Sequence, residues 1–405
     1  MSVSSTTLPL GATLARGLGE ANQLPWPLAR ASTLFELRYG KALVKSARRP
    51  GPVPVFGTNG QTGSHDTALF KGPGVVLGRK GQGPLGVEWV DEDFWVIDTA
   101  YALNVISNEV DLKFAYYLIK YVGLNHLKDG TSNPSLSRET FAAQLFPKPP
   151  LDEQRGIAAT LSALDEKIES ATRARDLIED LISASFEDLI ASSPVTRVPL
   201  EDLVSTTKGV SYKSVDLQES HTSLVTLKSF HRNGGYKANG LKPYVGPYKP
   251  QQVIAPGEIV VAQTDLTQGA EVVGRAVRVP ADASAEVLVA SLDLVIVRPK
   301  PTISREYLLG ILSDESFRQH CRSRTSGTTV LHLSSDAIPA YSAPLVPDGA
   351  RDEFSAFAQP LLARADTLVA EIEKLKALRD GLLPDILAGR VRVPKATLKL
   401  LEVVR

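Results

Sequence analysis

Two stretches of the chain carry apolar residues at every third or fourth position among polar ones, which is the period of an amphipathic helix. They extend over about residues 152–191 and 348–388. At 1.5 Å per residue, each predicted helix is roughly 60 Å long. Because one small domain cannot cover that length, we expect the two helices to pack against each other. The apolar positions predicted for this pairing are Ile157, Leu161, Leu164, Ile168, Ile178, Ile182, Leu361, Leu368, Ile372, Leu375 and Leu382.

Residues that end or interrupt helices lie close to these stretches. Pro194 follows the first stretch and Gly389 the second, so both predicted helices have a stop signal. Pro360 lies early in the second stretch. Since proline lacks the amide hydrogen that a helix interior needs, Pro360 is predicted to kink this helix or to divide a short lead-in helix from it.

Short β-like runs separated by Gly, Pro and Asn turns fill most of the remaining chain. They lie at 53–56, 75–77, 95–97, 259–262, 272–279 and 292–297, and further helices are predicted at 112–122 and 305–322. The mixture predicts the α+β class, with two globular domains separated by the long helices. The predicted segments are an N-terminal extension at 1–25, a first domain at 26–150, a helix at 151–193, a second domain at 194–347, a helix at 348–390 and a tail at 391–405.

One spacing recurs between the two halves. The tripeptide at 130–132 (Gly-Thr-Ser) lies 197 positions before that at 327–329 (Gly-Thr-Thr), and the same offset relates further residues through loop, strand, proline turn and helix. These pairs are Leu136 and Leu333, Ser137 and Ser334, Pro147 and Pro344, Pro150 and Pro347, Leu164 and Leu361, and Leu181 and Leu378. A constant offset through different kinds of structure indicates an internal duplication.

Charge is unevenly distributed along the chain. The whole sequence has a formal net charge of zero, which by itself argues against a nucleic-acid partner. The globular stretches 28–150 and 209–347 carry +3 and +2, whereas the helical stretches 152–191 and 348–388 carry −6 and −3. A polyanion would therefore meet the globular stretches and be repelled by the helices. Long solvated helices are often acidic, however, so charge alone leaves both interpretations open.

The sequence holds one cysteine, Cys321, which excludes an internal disulfide and a cysteine-rich zinc site. A reducing, cytoplasmic location is therefore expected. No run of about 18 uncharged apolar residues predicts a membrane span. The first residues of the chain also lack the basic start and apolar run of a signal peptide.

Several segments resemble the specificity subunits of type I restriction–modification systems. Residues 149–157 (Pro-Pro-Leu-Asp-Glu-Gln-Arg-Gly-Ile) and 161–168 (Leu-Ser-Ala-Leu-Asp-Glu-Lys-Ile) resemble the start of the central conserved helix of that family. Residues 375–384 (Leu-Lys-Ala-Leu-Arg-Asp-Gly-Leu-Leu-Pro) resemble the end of its second conserved helix, and 130–137 (Gly-Thr-Ser-Asn-Pro-Ser-Leu-Ser) resemble a recognition-domain loop. The second repeat departs from the pattern, because 346–351 (Val-Pro-Asp-Gly-Ala-Arg) lack the Glu-Gln pair.

The resemblance implies a non-catalytic subunit without a cofactor that selects a bipartite DNA sequence, with one half-site for each target-recognition domain. It also implies an internal pseudo-two-fold repeat with antiparallel, coiled-coil-like helices, which space the half-sites. Expected partners are double-stranded DNA, two DNA methyltransferase (modification) subunits and restriction/translocase subunits, with no membrane. Outward apolar residues expected to dock partner helices are Leu177, Leu181, Leu189, Leu378 and Leu383.

Contacts with DNA need Lys, Arg, hydroxyl or amide side chains in loops. In the first domain the candidates are Thr58, Asn59, Gln61, Thr62, Arg79, Lys80 and Gln82, with Thr131, Ser132, Asn133 and Ser135 for phosphate contacts. In the second they are Lys228, His231, Arg232, Asn233, Tyr236, Lys237, Thr264, Gln268, Arg322, Arg324, Thr325, Ser326 and Thr328. For each residue alone, an ordinary turn or a solvated surface is an equally simple interpretation.

Motifs for catalysis are missing from the sequence. No Gly-rich cofactor turn, base-clamping Asn-Pro-Pro-aromatic motif or ATP phosphate loop occurs. The six histidines show no metal-ligand spacing, so no metal site is predicted. Two alternatives stay open: a nuclease with an unrecognised carboxylate site, and a scaffold whose domains bind protein.

Overall fold

The computed structural model describes residues 13–14, 18, 24–231, 235–237, 240–265, 269–280 and 285–392. Most of the predicted N-terminal extension and C-terminal tail lies outside the described residues, as do the candidates Arg232, Asn233 and Gln268. The chain forms two compact units. The first contains residues 1–167 and 376–405, and the second contains residues 168–375.

The first part of the chain alternates short strands with helices, as the sequence predicts. Its strands are β1 Thr13–Leu14, β2 Leu28–Arg30, β3 Phe35–Tyr39, β4 Val53–Gly57, β5 Gly60–His65, β6 Gly74–Gly78, β7 Val87–Val90, β8 Trp95–Val96, β9 Ala100–Val105, β10 Lys128–Asp129, β11 Ser135–Leu136 and β12 Gln144–Pro147. Its helices are α1 Ala31–Leu34, α2 Leu112–Val122, α3 Arg138–Ala142 and the long α4 Leu151–Ser192.

The core of the first unit lies between a sheet and helix α2. The sheet has strand order β3-β9-β6-β7, and its strand β6 is buried along its whole length. Helix α2 begins where the Asp111 side chain accepts a hydrogen bond from Phe114 N, and it ends at Gly123 in the left-handed conformation. Its Phe114, Leu118 and Ile119 are buried in the same core. This core supports the loops at the end of β6.

The second part of the chain has a similar composition of elements. Its strands are β13 Thr196–Pro199, β14 Val204–Lys208, β15 Thr222–Val225, β16 Lys242–Pro243, β17 Val253–Ile254, β18 Ile259–Ala262, β19 Thr264–Asp265, β20 Ala276–Arg278, β21 Val287–Ala290, β22 Leu294–Pro299, β23 Thr325–Ser326, β24 Leu331–Leu333 and β25 Ser342–Leu345. Its helices are α5 Arg305–Ser313, α6 Glu315–Arg322 and the long α7 Asp348–Leu387. The strand orders β14-β22-β18-β20 and β16-β15-β21-β17 define two sheets of this unit.

The two units repeat one topology. Antiparallel pairs β3–β9 and β9–β6 of the first correspond to β14–β22 and β22–β18 of the second. The parallel pair β4–β8 corresponds to β15–β21, and the hairpin β10–β11 to β23–β24. The predicted α+β class and internal repeat are thereby confirmed.

Equivalent glycines follow the first strand of each central sheet. Gly40 N donates to Ala100 O at 3.3 Å, and Gly209 N donates to Leu294 O at 3.0 Å. A Cβ atom would lie 2.1 Å from the carbonyl oxygen of Ile97 at Gly40 and 2.0 Å from that of Ser291 at Gly209. Only glycine allows the backbone to approach a neighbouring strand so closely. The same steric requirement therefore operates in both halves, whose sequences otherwise share little.

The two long helices pair antiparallel within each unit. In the first unit, Arg379 of α7 donates to Asp165 of α4 at 2.8 Å, while Arg392, beyond α7, lies 3.3 Å from Glu153. In the second unit, the Ala171 region of α4 packs with Leu368 and Ile372 of α7, and the rings of Phe186 and Phe354 lie 5.6 Å apart. Residues later in α4 thus contact residues earlier in α7, as expected of two antiparallel helices.

The apolar positions predicted for helix pairing are divided between the domain cores and the helix pair. Ile168, Ile178, Leu368 and Ile372 share one apolar cluster. The remaining positions face the domain cores or are half-buried. Ile157, Leu161 and Leu382 contribute to the core of the first unit and Ile182 and Leu361 to that of the second, while Leu164 and Leu375 are half-buried.

Some local predictions need correction. The predicted helix 305–322 is two helices, because Asp314 adopts an extended conformation and its side chain caps α6 by accepting from Ser316 N. The predicted strand 272–279 is regular only at β20. Helix α7 continues past Pro360 without division, since Ala358 and Leu362 on either side are buried in the core of the second unit.

Two of the five leucines predicted to dock partners are not outward-facing. Leu189 packs against the core of the second unit and Leu383 against that of the first. Leu177, Leu181 and Leu378 are exposed, at 61%, 47% and 49%.

A buried ion pair supports the second unit. Arg298 Nε lies 2.6 Å from Glu258 Oε1, and the same guanidinium donates to the Val253 carbonyl at 2.7 Å. Burial is the largest influence on Glu258 and raises its pKa, but the hydrogen bonds from Arg298 and Ala255 N together outweigh it, so the pKa lies below 4.5. A carboxylate with a depressed pKa contributes stability that is present above the unfolded pKa and is lost as the pH falls through the folded pKa.

We therefore expect Glu258→Gln to lower the free energy of unfolding at pH 7 by about 1–3 kcal/mol. The variant should also lose less stability than the parent chain between pH 5 and pH 3, because it lacks the carboxylate that becomes protonated there. Urea denaturation at several pH values measures both effects. Glu169→Gln is the control, since Glu169 and its partner Arg173 are both about 70% exposed. Equal pH dependence in the variant and the parent would contradict this account.

Candidate nucleic-acid interface

Three segments of the first unit meet where strand β6 ends. Gly86 N donates to the Thr58 carbonyl at 2.8 Å, joining the turn after β4 to the loop after β6. Leu136 N donates to the Arg79 carbonyl at 2.7 Å, and Gly81 N to the Pro134 carbonyl at 3.0 Å. The turn 57–62, the loop 79–86 and the hairpin 128–136 thus form one surface, called here the first polar edge.

Several predicted DNA-contacting side chains of this edge make internal bonds. Thr58 Oγ1 donates to the Lys80 carbonyl at 2.7 Å, and Gln82 Nε2 donates to the Ser132 carbonyl at 2.9 Å. Arg79 Nη1 donates to the Asp98 carbonyl at 2.9 Å, and Lys80 Nζ lies 3.4 Å from an Asp98 carboxylate oxygen. These side chains hold the loops in place.

Most candidates of the first polar edge are exposed, although Gln61 Nε2 donates to the Gly63 carbonyl at 3.1 Å and Thr62 Oγ1 to the Val55 carbonyl at 3.2 Å. Asn59, Gln61, Thr62, Thr131, Ser132 and Asn133 are exposed, and Ser135 is half-buried. They come from the turn 57–62 and from the hairpin 128–136, segments about seventy positions apart in the chain. The fold therefore gathers amide and hydroxyl groups, which suit base edges and phosphates respectively.

The second unit builds an equivalent edge from different side chains. Leu333 N donates to the Gln263 carbonyl at 2.7 Å, the same bond that Leu136 makes with Arg79. The hairpin glycines Gly130 and Gly327 both have positive φ, at 98° and 127°. We call residues 263–265 with 322–333 the second polar edge. Its exposed or half-buried candidates are Arg322, Arg324, Thr325, Ser326 and Thr328.

Contacts partly constrain the arginines of the second polar edge. Arg322 Nη2 donates to the Gly269 carbonyl at 3.1 Å, and Arg324 Nη1 lies 3.2 Å from His320 Nδ1. Both side chains stay exposed, so their other donors face solvent. The second polar edge therefore presents exposed arginines, whereas the exposed candidates of the first polar edge are uncharged.

Two candidates of the second unit are interior residues, which corrects the prediction for them. Thr264 is 5% exposed, and its hydroxyl donates to Asp293 Oδ1 at 2.8 Å. Tyr236 is also 5% exposed and packs in an apolar core with Val225 and Phe230. Their side chains are unavailable to DNA because the sheet covers them. Lys228 and Lys237 are exposed, and His231 is half-buried.

The structure adds two side chains to the first polar edge that the sequence did not single out. Lys128 Nζ donates to the Gly83 carbonyl at 3.0 Å and so ties the hairpin to the loop after β6. Exposed Arg138 follows the hairpin, with its guanidinium carbon 4.6 Å from the centre of the Tyr39 ring. Arg138 directly follows the loop motif 130–137, but its proximity to Tyr39 depends on strand pairing that the sequence does not display.

The described part of the chain offers neither a metal-ion site nor a membrane-spanning helix. Within it, no group of three or more His, Cys, Asp or Glu side chains is arranged to hold a metal ion. Of the helices described, none is long and apolar enough to cross a membrane.

Similarity to known proteins covers the sequence of residues 25–180 and the fold of most of the chain. Residues 25–180 match the family model described as the type I restriction modification DNA specificity domain. The S subunit of a type I restriction-modification system from M. genitalium has a similar fold, with a TM-score of 0.61 and 18% identity over 91% of this chain and 98% of that chain. An HsdS subunit from Thermoanaerobacter tengcongensis matches with a TM-score of 0.31 and 16% identity over 96% of this chain and 100% of that one. No curated protein sequence matches the chain.

Each unit of the described chain carries one polar loop edge, built on the same bond between hairpin and central strand. Two similarities point to the same family, a sequence match over residues 25–180 and a shared fold. The chain thus resembles the specificity subunits of type I restriction–modification systems in the sequence of residues 25–180 and in its fold.

Proposed function

We propose that the chain selects a bipartite DNA target, in which each polar edge binds one half-site and the bases between them are unspecified. The observation that carries this proposal is the repeated bond from the hairpin to the end of the central strand, Leu136 N to Arg79 O and Leu333 N to Gln263 O, both 2.7 Å. One backbone scaffold thus displays two different sets of side chains. A protein with two equivalent scaffolds and unlike side chains is suited to two unlike half-sites.

Different side chains at the two edges imply different bases. Asn59 and Gln61 at the first edge have the amide groups that pair with adenine, whereas Arg322 and Arg324 at the second have the guanidinium groups that pair with guanine. Each good bidentate pair contributes roughly 1–3 kcal/mol of discrimination. We therefore propose that the half-site bound by the second edge is richer in guanine.

The long helices provide the surface for partner subunits in this proposal. Leu177 and Leu181 of α4 and Leu378 of α7 are large apolar side chains exposed on otherwise charged helices. Exposed apolar residues on a helix suit docking of a partner helix. We propose that two modification subunits dock on these helices, that restriction/translocase subunits join the complex, and that the chain positions both activities on the selected DNA.

The test is to map methylated sites in a host that lacks other adenine methylation. The full chain is expressed with its modification subunits, and methylated positions are identified by sequencing. The expected result is one motif with two short specified parts and a constant gap. A single continuous motif would contradict two half-sites, and methylation without sequence preference would contradict DNA selection. Cleavage or methyl transfer by the purified chain alone would instead support a nuclease or methyltransferase.

A further inference from the structure

We propose that Tyr39 and Arg138 form a binding site for one DNA phosphate beside the first polar edge. This inference rests on the proposed function, because it assumes that this edge faces DNA. It would add a contact to the DNA phosphate backbone at a surface whose exposed DNA-contacting candidates are mainly uncharged. The guanidinium that would bind the phosphate belongs to Arg138, which the sequence did not single out in this unit.

The geometry is a cluster of two arginines and two tyrosines. The guanidinium carbons of Arg138 and Arg79 lie 4.6 and 4.8 Å from the centre of the Tyr39 ring. The ring centres of Tyr39 and Tyr101 are 5.1 Å apart, and the Tyr101 hydroxyl donates to the Leu136 carbonyl at 3.1 Å. Burial, the largest influence, raises the pKa of Tyr101 to about 12, so this hydroxyl keeps its proton.

The two arginines of the cluster differ in accessibility. Arg79 is half-buried and bonded to the Asp98 carbonyl, so it serves to hold the ring of Tyr39. Arg138 is exposed, and its guanidinium makes no hydrogen bond or ion pair with the described residues. A guanidinium held by an aromatic ring, with its N–H donors facing solvent, is pre-organised for two-point binding of a phosphate.

The site is continuous with the first polar edge. Arg138 begins α3, directly after Ser137, whose side chain caps that helix by accepting from Thr140 N. The preceding strand β11 closes the hairpin, and its Leu136 N bonds to Arg79 O. Fixed backbone on both sides therefore holds Arg138 next to the end of the hairpin that carries Ser132 and Asn133. A duplex that contacts those loops would bring a phosphate near Arg138.

Two carboxylates, those of Glu36 and Glu139, lie close enough to Arg138 to interact with its charge. The Glu36 carboxylate accepts hydrogen bonds from Arg38 at 3.1 Å and from Asn104 at 3.1 Å, so other groups already compensate its charge. Glu139 lies in the first turn of α3, where the positive end of the helix backbone stabilises it. Hydrogen bonds from its own backbone N–H and from Ser137 hold its pKa below the ordinary value. Neither carboxylate forms an ion pair with Arg138 in the described structure.

The second unit lacks this cluster. Strand pairing makes Lys208 the equivalent of Tyr39, since Tyr39 pairs with Tyr101 and Lys208 with Val295 at corresponding positions. The hairpin offset makes Ser335 the equivalent of Arg138. The proposed phosphate site is therefore a property of the first unit alone, and its removal should act without reference to base sequence.

The experiment measures DNA binding by the full chain in complex with its modification subunits. Fluorescence anisotropy is recorded with a duplex that contains the mapped target and with a duplex of scrambled sequence, over a range of salt concentrations. Arg138→Ala should weaken binding to both duplexes by about tenfold and reduce the slope of log K against log salt by about one. Tyr39→Leu should act in the same direction, Arg138→Lys less, and Tyr39→Phe hardly at all.

Lys71→Ala is the control, because it also removes one exposed positive charge, which is paired with Asp93 at 2.6 Å. Thermal unfolding checks that each variant is folded, and Tyr39→Phe preserves the ring if Tyr39→Leu does not fold. An unchanged affinity and salt slope in Arg138→Ala would overturn the inference, as would a loss confined to the mapped target. If the parent complex itself shows no preference for the mapped target, the proposed function fails instead.

Discussion

Exchanging residues 209–347 for the corresponding stretch of a family member with a different target is expected to change one half-site and leave the other unaltered. The exchanged stretch contains the whole second polar edge, including Arg322, Arg324 and the hairpin β23–β24. Residues of the first polar edge stay untouched. Because each mismatched base pair costs roughly 1–3 kcal/mol, a half-site of three or more pairs should switch by several orders of magnitude.

The junctions of this exchange separate strands that pair. Retained β14 must pair with the new β22, and retained β13 with the new β25. Backbone hydrogen bonds tolerate such a change, but the buried Leu200, Leu203 and Val204 must fit a foreign core. A matched exchange of residues 194–347 keeps these strands with their partners. Both chimeras should therefore show the same new half-site, and the longer one should be more stable.

Methylated-site mapping again provides the measurement. The motif of each chimera is compared with the motifs of both parents. A change in both half-sites would show that the two units do not recognise DNA independently. An unaltered motif in a folded chimera would show that residues 209–347 do not determine the bases. The reciprocal exchange of 26–150 is the control and should change the other half-site.

Phe186→Ala is expected to destabilise the second unit by about 3–5 kcal/mol, the largest stability effect of a single substitution that we predict. Phe186 is 2% exposed, and its ring centre lies 5.5 Å from that of Tyr307 and 5.6 Å from that of Phe354. It thus joins α4, α5 and α7 within one core. Removal of the ring leaves a cavity that three packed helices cannot readily close. Urea denaturation of the full chain gives the change.

Gly310 offers a matched test of this packing. A Cβ at Gly310 would lie 2.3 Å from Phe186 Cδ2, so Gly310→Ala alone should also destabilise the unit. In the background of Phe186→Ala the added methyl group enters the cavity, and the cost should largely disappear. Additive effects of the two substitutions would contradict direct contact between them. Leu177→Ala is the control, because Leu177 is 61% exposed and its loss should change stability little.

The periodic pattern of the sequence determined the long helices closely. The predicted stretch 152–191 is α4 Leu151–Ser192, and 348–388 is α7 Asp348–Leu387. Apolar residues that recur every three or four positions over forty residues can all be buried on one face only if the segment is a helix, and the stop signals beyond it mark its end. Helix 112–122 and the strand 259–262 also agree with the structure. The hairpin offset revealed the repeat because glycine is needed at positive φ in both loops.

The tertiary structure alone decided which polar side chains are available. Thr264 and Gln82 are of residue types that contact DNA. Thr264 is nevertheless buried with its hydroxyl bonded to Asp293, and Gln82 donates to the Ser132 carbonyl of the hairpin. Arg138 and Tyr39 come together across 99 positions of sequence through strand pairing. Local periodicity reflects the burial of one face of one element, and so the sequence determined elements and their duplication. A side chain's exposure and its partner depend on contacts between distant segments, and these exist only once the sheet and the hairpin have packed.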